Sequence, residues 1–144
     1  MYNTTEGKAM TTGARILLVE DDEVLCDLVS RNLKARHHEV AIAMDALSAI
    51  HFLRTSAFDL ILLDINLPDQ TGWDVLRTAQ QEGCIHDIGD EAHKLPVVVL
   101  SAVRVSPHRL AEFHPLAYLP KPFPMETVLR FAAEASQRNQ TDTV

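Results

Sequence analysis

Arg15-Ile16-Leu17-Leu18-Val19 is a continuous apolar run that stops at Glu20-Asp21-Asp22. A short run without polar alternation is the pattern of a parallel strand buried on both faces. From Glu23 to about Ala35 the apolar positions Val24, Leu25, Leu28, Val29 and Leu33 recur at helical spacing, so the strand feeds an amphipathic helix. Glu39 to Ala43 is the second strand, and Asp45 is placed to cap a helix that uses Leu47, Ile50 and Leu53. Asp59 to Leu63 is the third strand, which delivers Asp64 at its tip and gives way to Ile65-Asn66-Leu67-Pro68. Gly72 closes the following loop, and Trp73, Val75, Leu76 and Ala79 predict a third helix that ends near Gly83.

Pro96-Val97-Val98-Val99-Leu100 has the same apolar, β-branched character and ends in Ser101-Ala102. Ser106-Pro107 combines a capping hydroxyl with proline at the first helical position, so a short helix runs to about Phe113. Leu116 to Leu119 predicts a fifth strand, and Pro124 opens a last helix with a buried stripe of Met125, Val128, Leu129, Ala132 and Ala135. Strands alternating with helices predict an α/β architecture, a (βα)5 doubly wound parallel sheet with right-handed crossovers. Residues 1–14 are polar and small and predict a flexible extension, 15–137 form the domain, and 138–144 predict a frayed polar tail.

Composition narrows the class. A chain of 144 residues fits one domain, and a domain of that size buries roughly two thirds of its unfolded surface. The formal net charge of −7 argues against direct nucleic-acid binding by this chain and toward proteins, or small anions held with a cation, as partners. Cys26 and Cys84 are the two cysteines, far apart, a usage that fits ordinary thiols in a reducing cytoplasm rather than a disulfide scaffold. No apolar signal region opens the chain and no stretch approaches the ~20 apolar residues of a membrane span, so a soluble cytoplasmic protein without membrane contact is expected.

The strand tips carry the candidate chemistry. Glu20 and Asp21 follow the first strand, Asp64 the third, Ser101 the fourth and Lys121 the fifth. Parallel strands bring their tips to one edge, where ligands of open α/β sheets gather. Carboxylates packed together repel, and a hard divalent cation bound through oxygen, typically Mg²⁺, relieves that repulsion. A lysine adds a compact positive charge and a serine a hydroxyl donor. Together they suit a phosphorylated aspartate. Taken singly, each residue has a plainer reading: Asp21 or Asp22 as a helix cap, Ser101 as a turn hydroxyl, Tyr118 as a half-buried sheet aromatic. The joint pattern leaves Asp22 as the cap.

Leu-Val-Glu20-Asp21, Leu-Leu-Asp64-Ile-Asn66-Leu-Pro, Val-Val-Val-Leu-Ser101-Ala102 and Lys121-Pro122-Phe123, in this order and on these strands, resemble the receiver domain of bacterial two-component response regulators over nearly all of Arg15 to Gln137. The resemblance implies a flavodoxin-like three-layer sandwich and a role as a phosphorelay phosphoacceptor. Asp64 would take a phosphoryl group from a sensor histidine kinase or phosphotransfer protein. Asp21, Asp64 and the Asn66 carbonyl would ligate Mg²⁺ (or Mn²⁺), with Glu20 acting through water. Ser101, Ala102 and Lys121 would bind phosphoryl oxygens, Tyr118 would follow the Ser101 hydroxyl inward, and Asn66 and Val103 would tune the phosphoryl lifetime. The output would be binding of a downstream protein whose identity the sequence does not carry. The family pattern also predicts a cis Lys121-Pro122 bond.

Two stretches depart from that pattern. Residues 83–95 are longer than usual between the third helix and fourth strand, and Cys84, His86 and His93 there match no zinc spacing. Between Ser101 and Lys121 the segment Phe113-His114-Pro115-Leu116-Ala117 arrives early and without glycine, so the fourth helix should be short or displaced. Two alternatives remain at this point. One is a receiver fragment of a larger transcription factor or hybrid kinase. The other is a haloacid-dehalogenase-type phosphatase, which needs a second aspartate where this chain has Asn66; an amide cannot serve as general acid. The receiver reading makes the chain a phosphoacceptor rather than an enzyme.

Overall fold

The computed structural model describes residues 13–85 and 95–143, the last of these, 139–143, by backbone alone. Five strands, β1 (Arg15–Val19), β2 (Glu39–Ala43), β3 (Leu60–Asp64), β4 (Val97–Ser101) and β5 (Ala117–Pro120), form one parallel sheet in the order β2-β1-β3-β4-β5. Between and after them run α1 (Glu23–Lys34), α2 (Ala46–Thr55), α3 (Gly72–Gln81), α4 (Pro107–Phe113) and α5 (Met125–Thr143). This is the flavodoxin-like (βα)5 arrangement.

Strand periodicity divides the core. Successive side chains of a strand face opposite ways, so Leu17, Val19, Ile61, Leu63, Val97 and Val99 pack with α2, α3 and α4 on one face. Ile16, Leu18, Leu60, Leu62, Val98 and Leu100 pack with α1 and α5 on the other. The central strands β3 and β4 are buried along their whole length, which is why the sequence shows unbroken apolar runs there rather than alternation.

The helices start where their caps place them. The Asp22 carboxylate accepts from the Val24 and Leu25 amides, Asp45 from Ser48, and Ser106 from Arg109. Thr71 and Asp74 form a reciprocal capping box at the start of α3. Two apolar stripes are rotated from the expected ones. On α1 the buried positions are Cys26, Val29, Ser30 and Leu33, while Val24 and Leu28 are exposed. On α2 the stripe is Ala46, Ala49, Ile50 and Leu53, and Leu47 faces solvent. On α2 the small Ala46 is buried in the core while its larger neighbour Leu47 is turned outward.

At the C-terminus the helix continues through Thr143, so the backbone expected to fray after Gln137 is helical. Of the longer connection at 83–95, Cys84 is a half-buried free thiol packed against the core, whereas His86 and His93 lie outside the described residues. The fourth helix is short, as expected, and is closed by His114 in the left-handed conformation. It is held to α3 by Phe113, which stacks on Trp73 at 5.2 Å, and by Arg77, whose guanidinium lies over the Phe113 ring and donates to Glu112 at 2.7 Å. Among the described residues no helix is long and apolar enough to cross a membrane.

Candidate functional site

The registers Val19↔Leu63, Asp64↔Leu100 and Ser101↔Pro120 bring the carboxyl ends of β1, β3, β4 and β5 level. Each functional side chain is therefore placed by the ladder before any side-chain contact is made. Glu20 extends β1 by one residue, its amide donating to the Ala43 carbonyl, and its side chain is buried. Asp64 is the last residue of β3 and is also buried, whereas Asp21 faces solvent. Carboxylate oxygens of Glu20, Asp21 and Asp64 all lie within 4.8 Å of one another.

Lys121 enters this cluster from β5. Its amide donates to the Ser101 carbonyl at 2.9 Å and the following Lys121-Pro122 bond is cis, as the sequence pattern predicted. The ammonium donates to Glu20 Oε1 at 2.6 Å and to Asp64 Oδ2 at 3.2 Å. Burial pushes the Glu20 carboxyl up to about 7, against the lowering hydrogen bond from Lys121 and with a further rise from the hydrogen bond and charge of Asp64. Burial acts to lower the Lys121 ammonium, but its bond to Glu20 and the two carboxylate charges outweigh it and leave the group raised. One ammonium thus serves two buried carboxylates, with a third at the rim.

That imbalance is what a hard cation would correct. All the donors are carboxylate oxygens, and the solvent side of Asp21 leaves room for the waters that Mg²⁺ retains. The residues fit the ion. The Asn66 amide donates to Asp64 Oδ1 at 3.1 Å, which keeps that residue's backbone beside the carboxylate. Gly72 is required behind it, since a Cβ there would meet the Asp64 carbonyl oxygen at 2.6 Å.

Ser101 is buried and, in this state, engaged locally: its hydroxyl donates to the Val103 carbonyl at 2.8 Å and accepts from the Val103 amide at 3.1 Å. The half-buried Tyr118 hydroxyl donates to the same carbonyl at 3.1 Å. Val103 was singled out in the sequence for its side chain, which is exposed beside the likewise exposed Ala102. Its backbone carbonyl, which joins Ser101 to Tyr118, was not anticipated. Backbone acceptors carry no sequence signal.

Two further contacts were missed. Cys26, read as an ordinary thiol, is buried with Sγ donating to the Glu20 carbonyl at 3.2 Å, and burial pushes its pKa up to about 11. Asp69 accepts from the Ala46 and Leu47 amides of α2 across the loop. These hydrogen bonds, with burial opposing, hold its carboxyl below its ordinary value. An acid in a Pro-Asp-Gln-Thr-Gly loop reads as a turn residue, and only the tertiary arrangement reveals its reach.

A family model described as a response regulator receiver domain matches residues 16–133. The chain is 32% identical over 129 residues to the probable transcriptional regulatory protein SilR of Salmonella typhimurium, covering 88% of this chain and 53% of that one. To the response regulator protein PmrA of Pseudomonas aeruginosa it is 35% identical over 114 residues, covering 78% and 48%. The chain spans about half the length of the curated relatives it matches. Among solved structures, the non-phosphorylated HemR receiver domain of Leptospira biflexa aligns with a TM-score of 0.69 at 31% identity, covering 85% of this chain and 93% of that one. The receiver domain of the sensor histidine kinase PA1611 of Pseudomonas aeruginosa, solved with a magnesium ion coordinated in its active site cleft, aligns with a TM-score of 0.69 at 24% identity, covering 87% and 98%.

Proposed function

Because the chain belongs to the response regulator receiver domain family, we propose that Asp64 is its phosphoacceptor, taking a phosphoryl group from a phosphohistidine of a sensor histidine kinase or phosphotransfer protein. The observation that carries this reading is Lys121 Nζ bridging Asp64 Oδ2 and Glu20 Oε1, with Asp21 at the rim. In the transfer an Asp64 carboxylate oxygen forms the new bond to phosphorus as the phosphorus–nitrogen bond to the donor imidazole breaks, giving an acyl phosphate.

Asp21 and Asp64 would hold Mg²⁺ or Mn²⁺ directly, with the Asn66 carbonyl, and Glu20 through water. A cation so bound offsets charge on the phosphoryl oxygens during transfer. Lys121 supplies the remaining fixed charge: its ammonium, already at the Asp64 oxygen, is positioned for an oxygen of the transferred group. Ser101 would leave the Val103 carbonyl to donate to another phosphoryl oxygen, beside the Ala102 amide, and Tyr118 would then adjust its own bond to that carbonyl. The resulting population shift near α4 and β5 would change the affinity for a downstream protein. Asn66 at the cation site is an amide, which leaves the phosphatase reading without its general acid.

A second reading is favoured by the share of the relatives that this chain spans: the receiver is a portion of a longer regulator, as the SilR and PmrA lengths suggest. The sequence of the whole gene separates the two. The phosphoacceptor reading is tested with Mg²⁺ and acetyl phosphate on a phosphate-affinity gel. A shifted band that disappears in Asp64→Asn is expected; a band that persists in that variant would sink the assignment.

A further inference from the structure

The carboxylate of Asp69 leaves its own loop to serve another element. Oδ1 accepts from the Ala46 amide at 2.8 Å and from the Gln70 amide at 3.0 Å, and Oδ2 accepts from the Leu47 amide at 3.1 Å. Ala46 and Leu47 are the first residues of α2, where amides lack partners within the helix. That terminus already has its own cap, since Asp45 accepts from Ser48 at 2.8 Å. The second carboxylate therefore does more than finish a helix: it ties the tip of the β3–α3 loop to α2.

The loop it ties carries Asn66. Its base is fixed twice, by the Gly72 amide donating to the Ile65 carbonyl at 2.8 Å and by the bridge between Asn66 and Thr71. Its middle rests on the core through half-buried Leu67. Beyond Leu67 the chain is exposed, and Asp69 gives it a further tertiary attachment. A loop pinned at base and tip has little freedom to rotate the peptide between Asp64 and Leu67.

We propose that Asp69 is a positioning residue for the phosphoryl-transfer site: by bridging to the Ala46 and Leu47 amides it holds the Asn66 backbone in register with Asp64, and so shapes the cation site. The inference rests on the phosphoacceptor reading of Asp64. A helix cap with no such role would affect stability alone, and the two are separable by comparing Asp69→Ala with Asp45→Ala, which weakens α2 without touching the loop.

The experiment uses the full chain. Amide exchange of Asn66 is followed by NMR without metal, Mg²⁺ is titrated by chemical shift, stability is followed by urea, and phosphorylation is driven by acetyl phosphate. In Asp69→Ala, Asn66 exchange should accelerate and Mg²⁺ affinity should fall about tenfold, the lower end of the range for outer-shell partners. Asp69→Asn, which keeps an acceptor oxygen, should recover most of both. Asp45→Ala should lower the urea midpoint while leaving Mg²⁺ affinity within about twofold, since the Asp45 carboxylate bonds Ser48 within α2 and not the loop. Unchanged Asn66 exchange and Mg²⁺ affinity in Asp69→Ala would overturn the inference, as would equal losses in Asp45→Ala. If wild type takes no phosphoryl group on Asp64, the functional reading fails first, and that result is distinct from either of these.

Discussion

At the tips of β1 and β3, charged groups are buried against one another: Lys121 bridges Glu20 and Asp64, and little of the three side chains meets solvent. Between β4 and β5 the connection is built differently. There a short α4 is held to α3 by the Trp73–Phe113 stack and a surface arginine, while Ser101 and Tyr118 share one backbone carbonyl. In the first region a single ammonium is shared between two buried carboxylates, with Asp21 close by at the rim. The second relies on contacts that are individually modest and replaceable. On the phosphoacceptor reading proposed above, a change in the charge balance of the first region would be answered in the second, where Ser101 and Tyr118 share an acceptor.

The comparison breaks most sharply at Lys121. Lys121→Ala leaves two buried carboxylates with no cation, and removal of one partner from such a group costs about 3–5 kcal/mol. The urea midpoint at pH 8 without Mg²⁺ should fall accordingly, and Mg²⁺ should restore a large part of it. Acetyl-phosphate-driven labelling of Asp64 should fall at least about a hundredfold, the scale for losing a preorganised electrostatic group. If labelling survives, the ammonium is not part of the transfer machinery.

On the other side, Phe113→Ala removes the stack that docks α4. Buried phenylalanine truncations cost about 3–5 kcal/mol, and the short, solvent-flanked helix should place this one near the lower bound. Labelling of Asp64 should stay near wild type, because nothing in the carboxylate cluster touches Phe113. Equal losses of stability and labelling would show that the two regions are one unit.

The pH dependence sharpens the first region. The Glu20 pKa is raised on folding from an ordinary 4.5 to about 7, so between these values the native state holds more protons than the unfolded chain. The contribution of this group to stability must then fall as pH rises from about 4.5 through 7, by about 3 kcal/mol in all. Saturating Mg²⁺, by favouring the ionised form, should flatten that slope. Urea titrations at three pH values, with and without the ion, decide it; a slope that ignores Mg²⁺ would separate Glu20 from the cation site.

The smallest effect is expected at Val103, whose side chain is exposed. Val103→Glu and Val103→Lys should change the dephosphorylation rate of Asp64 with little change in stability, since surface substitutions usually stay within about 0.5 kcal/mol. Identical phosphoryl lifetimes in all three proteins would discard a role for this position.

Much of the first region was legible in the sequence, because Glu20, Asp64 and Lys121 end apolar runs and their chemistry is in their side chains. The succession of strands and helices along the chain and the α4 boundaries were also legible, because caps such as Asp22, Asp45 and Ser106-Pro107 announce helices locally. The rotated stripes were not, since Val24 and Leu28 fit a helical period as well as Val29 and Leu33 do, and only packing against the sheet selects between them. The Val103 carbonyl and the reach of Asp69 were hidden for a different reason. Backbone acceptors are the same at every residue, and long-range caps depend on how loops approach in space.

Trp73 is the chain's single tryptophan. It follows directly on Gly72, the residue packed against the Asp64 carbonyl, and stacks on Phe113. The protein therefore carries a built-in optical probe at the junction between the charged cluster and the docked helix. Its emission, read without any label, offers a running signal of whether α4 stays docked when Mg²⁺ and acetyl phosphate are added.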